Sequence, residues 1–259
     1  MTASASDNTP EEKDEKPNVA ELPSVFDILL YSLTLAKRYA GDVYGFTAYL
    51  LFPLILSFGV RGISGNLGIV AESMVNVLSL ALSCWAAAAI STLISLKTAH
   101  PKKDHDPRSI GQHAASVLGT LLLASLLSGI IQAAGYFLLI VPGVIASILF
   151  AFTLEEVVLR GHGPISALAA SKARVQHQLA AIGWRLLAIV FAFFLVYFIL
   201  GAAVILVGSF ATGISPTALA LNGVPLWVDA ILVVLQIALL PPVIIAHTVL
   251  YLSTSPTVD

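Results

Sequence analysis

An all-α polytopic membrane protein, with six transmembrane helices and two cytoplasmic interfacial amphipathic helices, is the fold class this sequence predicts. Three observations lead there. The 259 residues are 58% hydrophobic and only 11% charged, with a mean hydropathy of +0.91, whereas a soluble domain is about 45–50% apolar and about 25% charged. Six apolar runs each approach the ~20 residues needed to cross a hydrocarbon core of ~30 Å. Basic residues gather on one side of those runs. A net charge of -2 leaves no basic footprint for nucleic acid. A single cysteine, Cys84, excludes an internal disulfide, and no Cys/His cluster has zinc spacing. No metal and no cofactor is implied.

Residues 1–22 carry the run Glu11-Glu12-Lys13-Asp14-Glu15-Lys16, a composition that cannot bury a core and predicts a disordered acidic tail. No apolar stretch of a secretory signal occurs there, so the first span is expected to be retained. From Ser24 to Ala40, Phe26, Leu29, Leu30, Leu33 and Ala36 recur at helical spacing against Asp27, Thr34, Lys37 and Arg38. Ser24 followed three residues later by Asp27 supplies a capping box. This predicts an amphipathic helix lying in the headgroup plane, the alternative being a helix that extends the next span or covers the inner end of the bundle. Gly41 offers a turn into the first span, Val43–Val60, which contains Pro53.

The second span, Ala71–Leu96, carries Ser79, Ser83, Ala87, Ser91 and Ser95 at steps of four beside Ala86, Ala88 and Ala89. Small residues let helix backbones approach where no hydrophobic effect drives association, so this is read as the buried central helix, the alternative being a hydroxyl-lined water path. Cys84 lies within it and is expected to be an inert buried thiol. The third and fourth spans, Ile110–Ala134 and Gly143–Leu159, must be separated by argument, because Ala114 to Phe152 contains no charge. One helix of that length would be about 58 Å long, so the chain must turn back, and Val141-Pro142-Gly143 supplies the break. Pro164 to Gln178 predicts a second interfacial helix, with Ile165, Leu168 and Val175 against Lys172, Arg174, Gln176 and His177. The fifth span is Ala180–Val207 and the sixth Trp227–Leu252. In the sixth, Pro241-Pro242 is expected to kink or break the helix. The integral membrane domain is thus 23–252, with a short polar tail at 253–259. The first interfacial helix and span also resemble the second helix and the fifth span loosely, each with a serine (Ser32, Ser171) and an aromatic-led span (Tyr44, Trp184).

Orientation follows from the loops. With alternating spans, twelve of the thirteen Lys and Arg residues fall on one side and only Arg61 on the other. The positive-inside rule makes the crowded side cytoplasmic, which places both termini in the cytoplasm of a cell inner or plasma membrane.

Ionisable groups inside spans are costly and mark functional candidates. Counted inward at 1.5 Å per residue, His113, Glu155, Glu156, Arg185 and His247 lie at one level near the cytoplasmic ends of four spans. Arg185 is the expected partner of Glu155 or Glu156. Neighbours in sequence cannot point the same way on a helix, so one glutamate is expected to face the bundle and the other the interface. Three readings remain open: a proton- or headgroup-linked site opening to the cytoplasm, long side chains snorkelling to the headgroups, or a purely structural Glu–Arg pair. A broken sixth helix would suit a transporter, where freed carbonyls coordinate ions, although an equivalent break in another span is missing from the sequence.

Val141-Pro142-Gly143 with its following apolar span, Glu155-Glu156-Val157-Val158, Gly163-Pro164 and Ala167-Leu168-x-x-Ser171 resemble a pattern in the YciC-like uncharacterised bacterial inner-membrane proteins. The same pattern marks the membrane domain found on some glycerophosphodiester phosphodiesterases. The resemblance covers 24–252 and is sharpest over 139–187. It implies a six-span helical membrane domain without a settled activity of its own. The soluble barrel of those phosphodiesterases has no counterpart here, so their activity is not carried over. No His-Glu-x-x-His, P-loop or Gly-x-Ser-x-Gly pattern is present. The expected function is a non-enzymatic integral membrane protein, lipid-associated or a partner or scaffold of another membrane machine. The alternative is a small transporter or channel-like protein with a cytoplasm-facing polar site. Expected partners are membrane lipids, then another membrane protein or a second copy of the chain, and no nucleic acid.

Overall fold

The computed structural model describes residues 22–254, apart from 61, 62, 64, 102, 104, 216 and 219–223. Residues 1–21 and 255–259 of the expected tails, and Arg61, lie outside the described residues. All regular structure among the described residues is helical. The short helix α1 (Val25–Arg38) precedes a first span made of α2 (Ala40–Ala48) and α3 (Leu51–Val60). Spans two and three are the long helices α4 (Asn66–Ala99) and α5 (Pro107–Leu138). The fourth is built from α6 (Ile140–Leu149) and α7 (Thr153–Arg160). After α8 (Pro164–Gln176) come α9 (Leu179–Thr212) and α10 (Leu226–Ser253). Six helical stretches are therefore long and apolar enough to cross a membrane, and the molecule is an integral membrane protein.

Local chemistry explains most boundaries. Ser24 caps α1 by accepting from the Asp27 N–H at 3.2 Å, while its hydroxyl donates to Asp27 Oδ2 at 2.6 Å. The reverse bond of a full capping box is thus replaced by a side-chain pair. Asp106 caps α5, with Pro107 in the first turn where no amide donor is needed. Between α7 and α8 the chain turns through Gly161 at φ 68°, a left-handed conformation that favours glycine.

Two expectations about breaks are corrected. The third-to-fourth turn falls at Leu139, which is extended (φ -167°, ψ 154°). Pro142 instead sits in the first turn of α6, where its missing N–H costs nothing. The hairpin closes tightly because Gly135 and Gly143 lack side chains. A Cβ on Gly135 would come within 2.9 Å of the Gly143 Cα. The second correction concerns Pro241 and Pro242, which do not break the sixth span: α10 runs continuously from Leu226 to Ser253 with both prolines buried. Pro242 has no N–H to offer the Ala238 carbonyl, and the Tyr44 hydroxyl from α2 donates to that oxygen at 3.3 Å. A neighbouring helix has taken over the missing donor, as tolerated prolines in membrane helices require.

The interruptions lie elsewhere. The first span breaks at Tyr49-Leu50 and the fourth at Phe150–Phe152.

The apolar core occupies one half of the bundle. Its members include Ile28 of α1, Phe46 of α2, Ile90, Leu93 and Ile94 of α4, and Phe152 of the fourth span, with Ile182 of α9 and Ile245 and Leu250 of α10. All lie toward the end where spans one, three and five begin, called here the basic end because Lys97, Arg108, Arg160, Arg174 and Arg185 are grouped there. Half of the most apolar window of α4 is buried, against 11–33% in the other spans, so the reading of the second span as the central helix holds. On α1 the apolar residues divide. Ile28, Leu35 and Ala36 bury against the bundle, whereas Phe26, Leu30 and Leu33 are exposed.

Candidate functional site

The break in the fourth span creates the polar site at the basic end. Where the ladder lapses, Ser171 of α8 bridges the two halves: its hydroxyl donates to the Leu149 carbonyl at 2.8 Å and accepts from the Phe152 N–H at 3.2 Å. The offset lets α7 turn both Glu155 and Glu156 inward, and each is only 1% exposed. The expectation that one would face the interface is therefore overturned. A break between adjacent helices frees the second to choose its own rotation, which a continuous span could not.

Each carboxylate has its own partners. Glu155 Oε1 lies 2.7 Å from His247 Nδ1 of α10. Glu156 Oε1 accepts from Arg174 Nε of α8 at 2.9 Å and stands 2.9 Å from its Nη2. The Tyr251 hydroxyl donates to the same oxygen at 3.2 Å. That hydroxyl in turn accepts from Arg160 Nε at 3.2 Å and Arg174 Nη2 at 3.3 Å. The Arg174 guanidinium lies 4.3 Å from the centroid of the Tyr251 ring, a cation–π contact. Phe152, fully buried, separates the two clusters, its ring 5.3 Å from His247 and 5.5 Å from Tyr251. His162 Nδ1 stands 3.1 Å from Glu156 Oε2 but is not aligned for a hydrogen bond, and Glu155 Oε2 likewise lacks one.

The sequence-expected cluster is thus partly assembled. His113 is at this level, its Nε2 3.1 Å from the Val158 carbonyl, and it forms neither a hydrogen bond nor an ion pair with either glutamate. Arg185 does not pair with Glu155 or Glu156. Its guanidinium donates to the carbonyls of Leu22 and Pro23 ahead of α1 and of Ala181 in its own helix, each at 2.9 Å. The acceptors of Arg185 are therefore backbone carbonyls, two of them leading into α1, and Arg174 holds the acid that Arg185 was expected to hold. Sequence reasoning missed Arg174, Arg160, Tyr251 and His162 as site residues. The i, i+4 spacing of His247 and Tyr251 on one face of α10 was the available signal. Among the described residues no group of three or more His, Cys, Asp or Glu is arranged to hold a metal ion.

The serine stripe divides along α4. Ser91 is buried and lies 2.9 Å from Thr248 Oγ1 of α10. Ser79 and Ser83 instead line a cavity of about 260 Å³ between α3, α4 and α10, with Ser57, Asn76 and Gln236. Ala87 and Ser95 are half-buried on the same helix, and Cys84 is half-buried and free. A larger groove of about 730 Å³ lies between α2, α4 and α5 at the basic end, bordered by Asp42, Trp85 and Arg108. Neither space touches Glu155 or Glu156. No protein-family model, curated protein or solved structure matches this chain.

Proposed function

We propose that the chain is a non-enzymatic, lipid-associated integral membrane protein of the cell membrane, with its basic end and both termini in the cytoplasm. The twelve-to-one distribution of basic residues supports that orientation. The observation that carries the lipid-associated reading is the outward face of α1. Phe26 is 71%, Leu30 56% and Leu33 51% exposed on a helix that closes with Lys37 and Arg38. An apolar stripe with basic residues at its end suits a helix seated between acyl chains and anionic headgroups. The polar site supports a structural role, since the glutamates are engaged by His247, Arg174 and Tyr251 and open onto neither cavity. On this reading the site clamps α7, α8 and α10 together. The resemblance to YciC-like membrane domains accords with this and adds no activity.

The test uses the reconstituted full chain with Cys84→Ala and a nitroxide at Leu30→Cys. The expected result is high collision with oxygen and low collision with a water-soluble nickel chelate, the signature of a site in the acyl layer. The opposite ratio would place α1 in water and remove the reading.

A second reading, a small transporter, has one observation in its favour. Asn76 and Gln236, both exposed at the outer face of the bundle, border the 260 Å³ cavity at membrane depth, and neither has a hydrogen-bond partner among the described residues. Amides without partners in hydrocarbon are costly, which favours water in that cavity. Toward the basic end, however, Ser91, Thr248, Leu93 and Ile245 fill the interior, so the cavity ends blind.

A further inference from the structure

The groove between α2, α4 and α5 is divided by height in the way a phospholipid is. At its mouth stand Asp42, the third residue of α2, and Arg108, the second residue of α5. Both lie where apolar helices begin, the level of lipid headgroups. Neither makes an ion pair among the described residues. They come from different walls of the groove, so an anion and a cation held by them would sit side by side.

Below that level Gln112 stands one turn further along α5 from Arg108, and past it the lining is Phe46, Tyr49, Trp85 and Ala115. Tyr49 lies seven residues further along the first span, about 10 Å deeper at 1.5 Å per residue. The wall formed by α2 is nearly bare, because a Cβ on Gly41 or Gly45 would meet nothing within 4 Å. The floor is Trp85 of α4, fixed on three sides. Its Nε1 donates to the Gly111 carbonyl at 3.0 Å, and its ring meets Phe46 and Tyr49 edge-on at centroid distances of 5.6 and 5.2 Å. A rigid aromatic floor, a bare wall and a volume of about 730 Å³ give an open trough where α2 and α5 would otherwise meet. Pockets that hold small-molecule ligands run about 300–1,000 Å³.

We propose that this groove binds one aminophospholipid, its phosphate on Arg108, its ammonium on Asp42 and its upper acyl chains along the Gly41–Gly45 wall over Trp85. The inference rests on the lipid-associated reading and names the lipid class that the groove takes. Arginine is suited to phosphate through its planar fork of donors. A carboxylate opposite it discriminates against a headgroup that is only anionic, which leaves Asp42 facing like charge.

The experiment uses the purified full chain carrying Trp184→Phe and Trp227→Phe, so that Trp85 is the sole tryptophan and is excited selectively, in mild detergent. It is titrated with brominated phosphatidylethanolamine or brominated phosphatidylglycerol, and retained lipid is counted by native mass spectrometry. The expected result is saturable quenching of Trp85 by the ethanolamine lipid with one lipid retained, and at least tenfold weaker binding of the glycerol lipid. Arg108→Ala should weaken binding of the ethanolamine lipid about tenfold, a loss of about 1.4 kcal/mol. Asp42→Asn should erase the preference between the two lipids. Gly45→Leu places a side chain into open space and should abolish both quenching and retention while the thermal transition persists. Quenching unaltered by Gly45→Leu, or equal affinity for the two lipids in the unsubstituted chain, overturns the proposal. If the nitroxide on α1 reports water but Gly45→Leu still releases a lipid, the groove stands and only the anchoring of α1 fails.

Discussion

Glu156 shows what a single buried charge requires here. Its Oε1 receives Arg174 and Tyr251, and Arg160 reaches the same tyrosine. Removing one member of a buried pair leaves the other charge uncompensated, which typically costs about 3–5 kcal/mol, whereas replacing both can be nearly neutral. Arg174→Met should therefore lower stability by about that amount, and adding Glu156→Gln should recover much of it. Glu155→Gln in the same background should not, because Glu155 belongs to His247 across the Phe152 ring. Thermal unfolding in detergent checks this, and equal rescue by either glutamine would show the two carboxylates to be one coupled site. The glutamates could be located from sequence as charges within a span. Their partner could not, because depth alone favoured Arg185, and only the path of α8 across the end of the bundle brings Arg174 to Glu156.

Among the elements, α4 changes character along its length. At Ala89 it is fully buried, while six residues earlier Ser83 faces the 260 Å³ cavity. A strict step of four drifts around a helix of 3.6 residues per turn, so a stripe that looks uniform in sequence meets successive neighbours. Ala89→Leu should overpack the core and cost about 1–3 kcal/mol. Ser83→Leu enters open space and should change stability by no more than about 0.5 kcal/mol. Melting temperatures of both variants test the division, and an equal loss in both would mean that the cavity is closed in the folded protein. The prolines teach a related lesson. Proline marks a missing donor, and whether the helix breaks depends on whether a neighbour such as Tyr44 can supply one. The real interruption at Phe150–Phe152 contains neither proline nor glycine. It is held by Ser171 from another helix, which no local signal announces.

On the scale of the whole molecule, the apolar core and the Glu155 and Glu156 contacts fill the bundle interior toward the basic end, with the 730 Å³ groove open on its side, while the far half contains the cavity bordered by Asn76 and Gln236. In a Cys84→Ala background, cysteine at Thr98 at the basic end should be protected from an impermeant thiol reagent in intact cells, and cysteine at Thr217 should react. Reversed labelling would invert the orientation. Cysteine at Asn76 should be labelled from the same side as Thr217 if water fills the cavity, and that outcome would favour the transporter reading.

The sequence by itself determined the solvent, the number of spans and the gathering of basic residues at one end. Composition and run length answer to the thickness of a bilayer, and that constraint acts on every residue of a span alike. It also located the capped helix at Ser24 and the central role of the small-residue span, because capping and close approach are local properties of residue type. Tertiary structure alone decided which charges meet, where a span breaks and which proline does not break one. Each of these depends on a donor or acceptor brought from a distant helix, and in an apolar interior an unsatisfied group costs enough to dictate that choice. Pairings of that kind are set by the rotation and offset of packed helices, which six similar apolar segments do not encode individually.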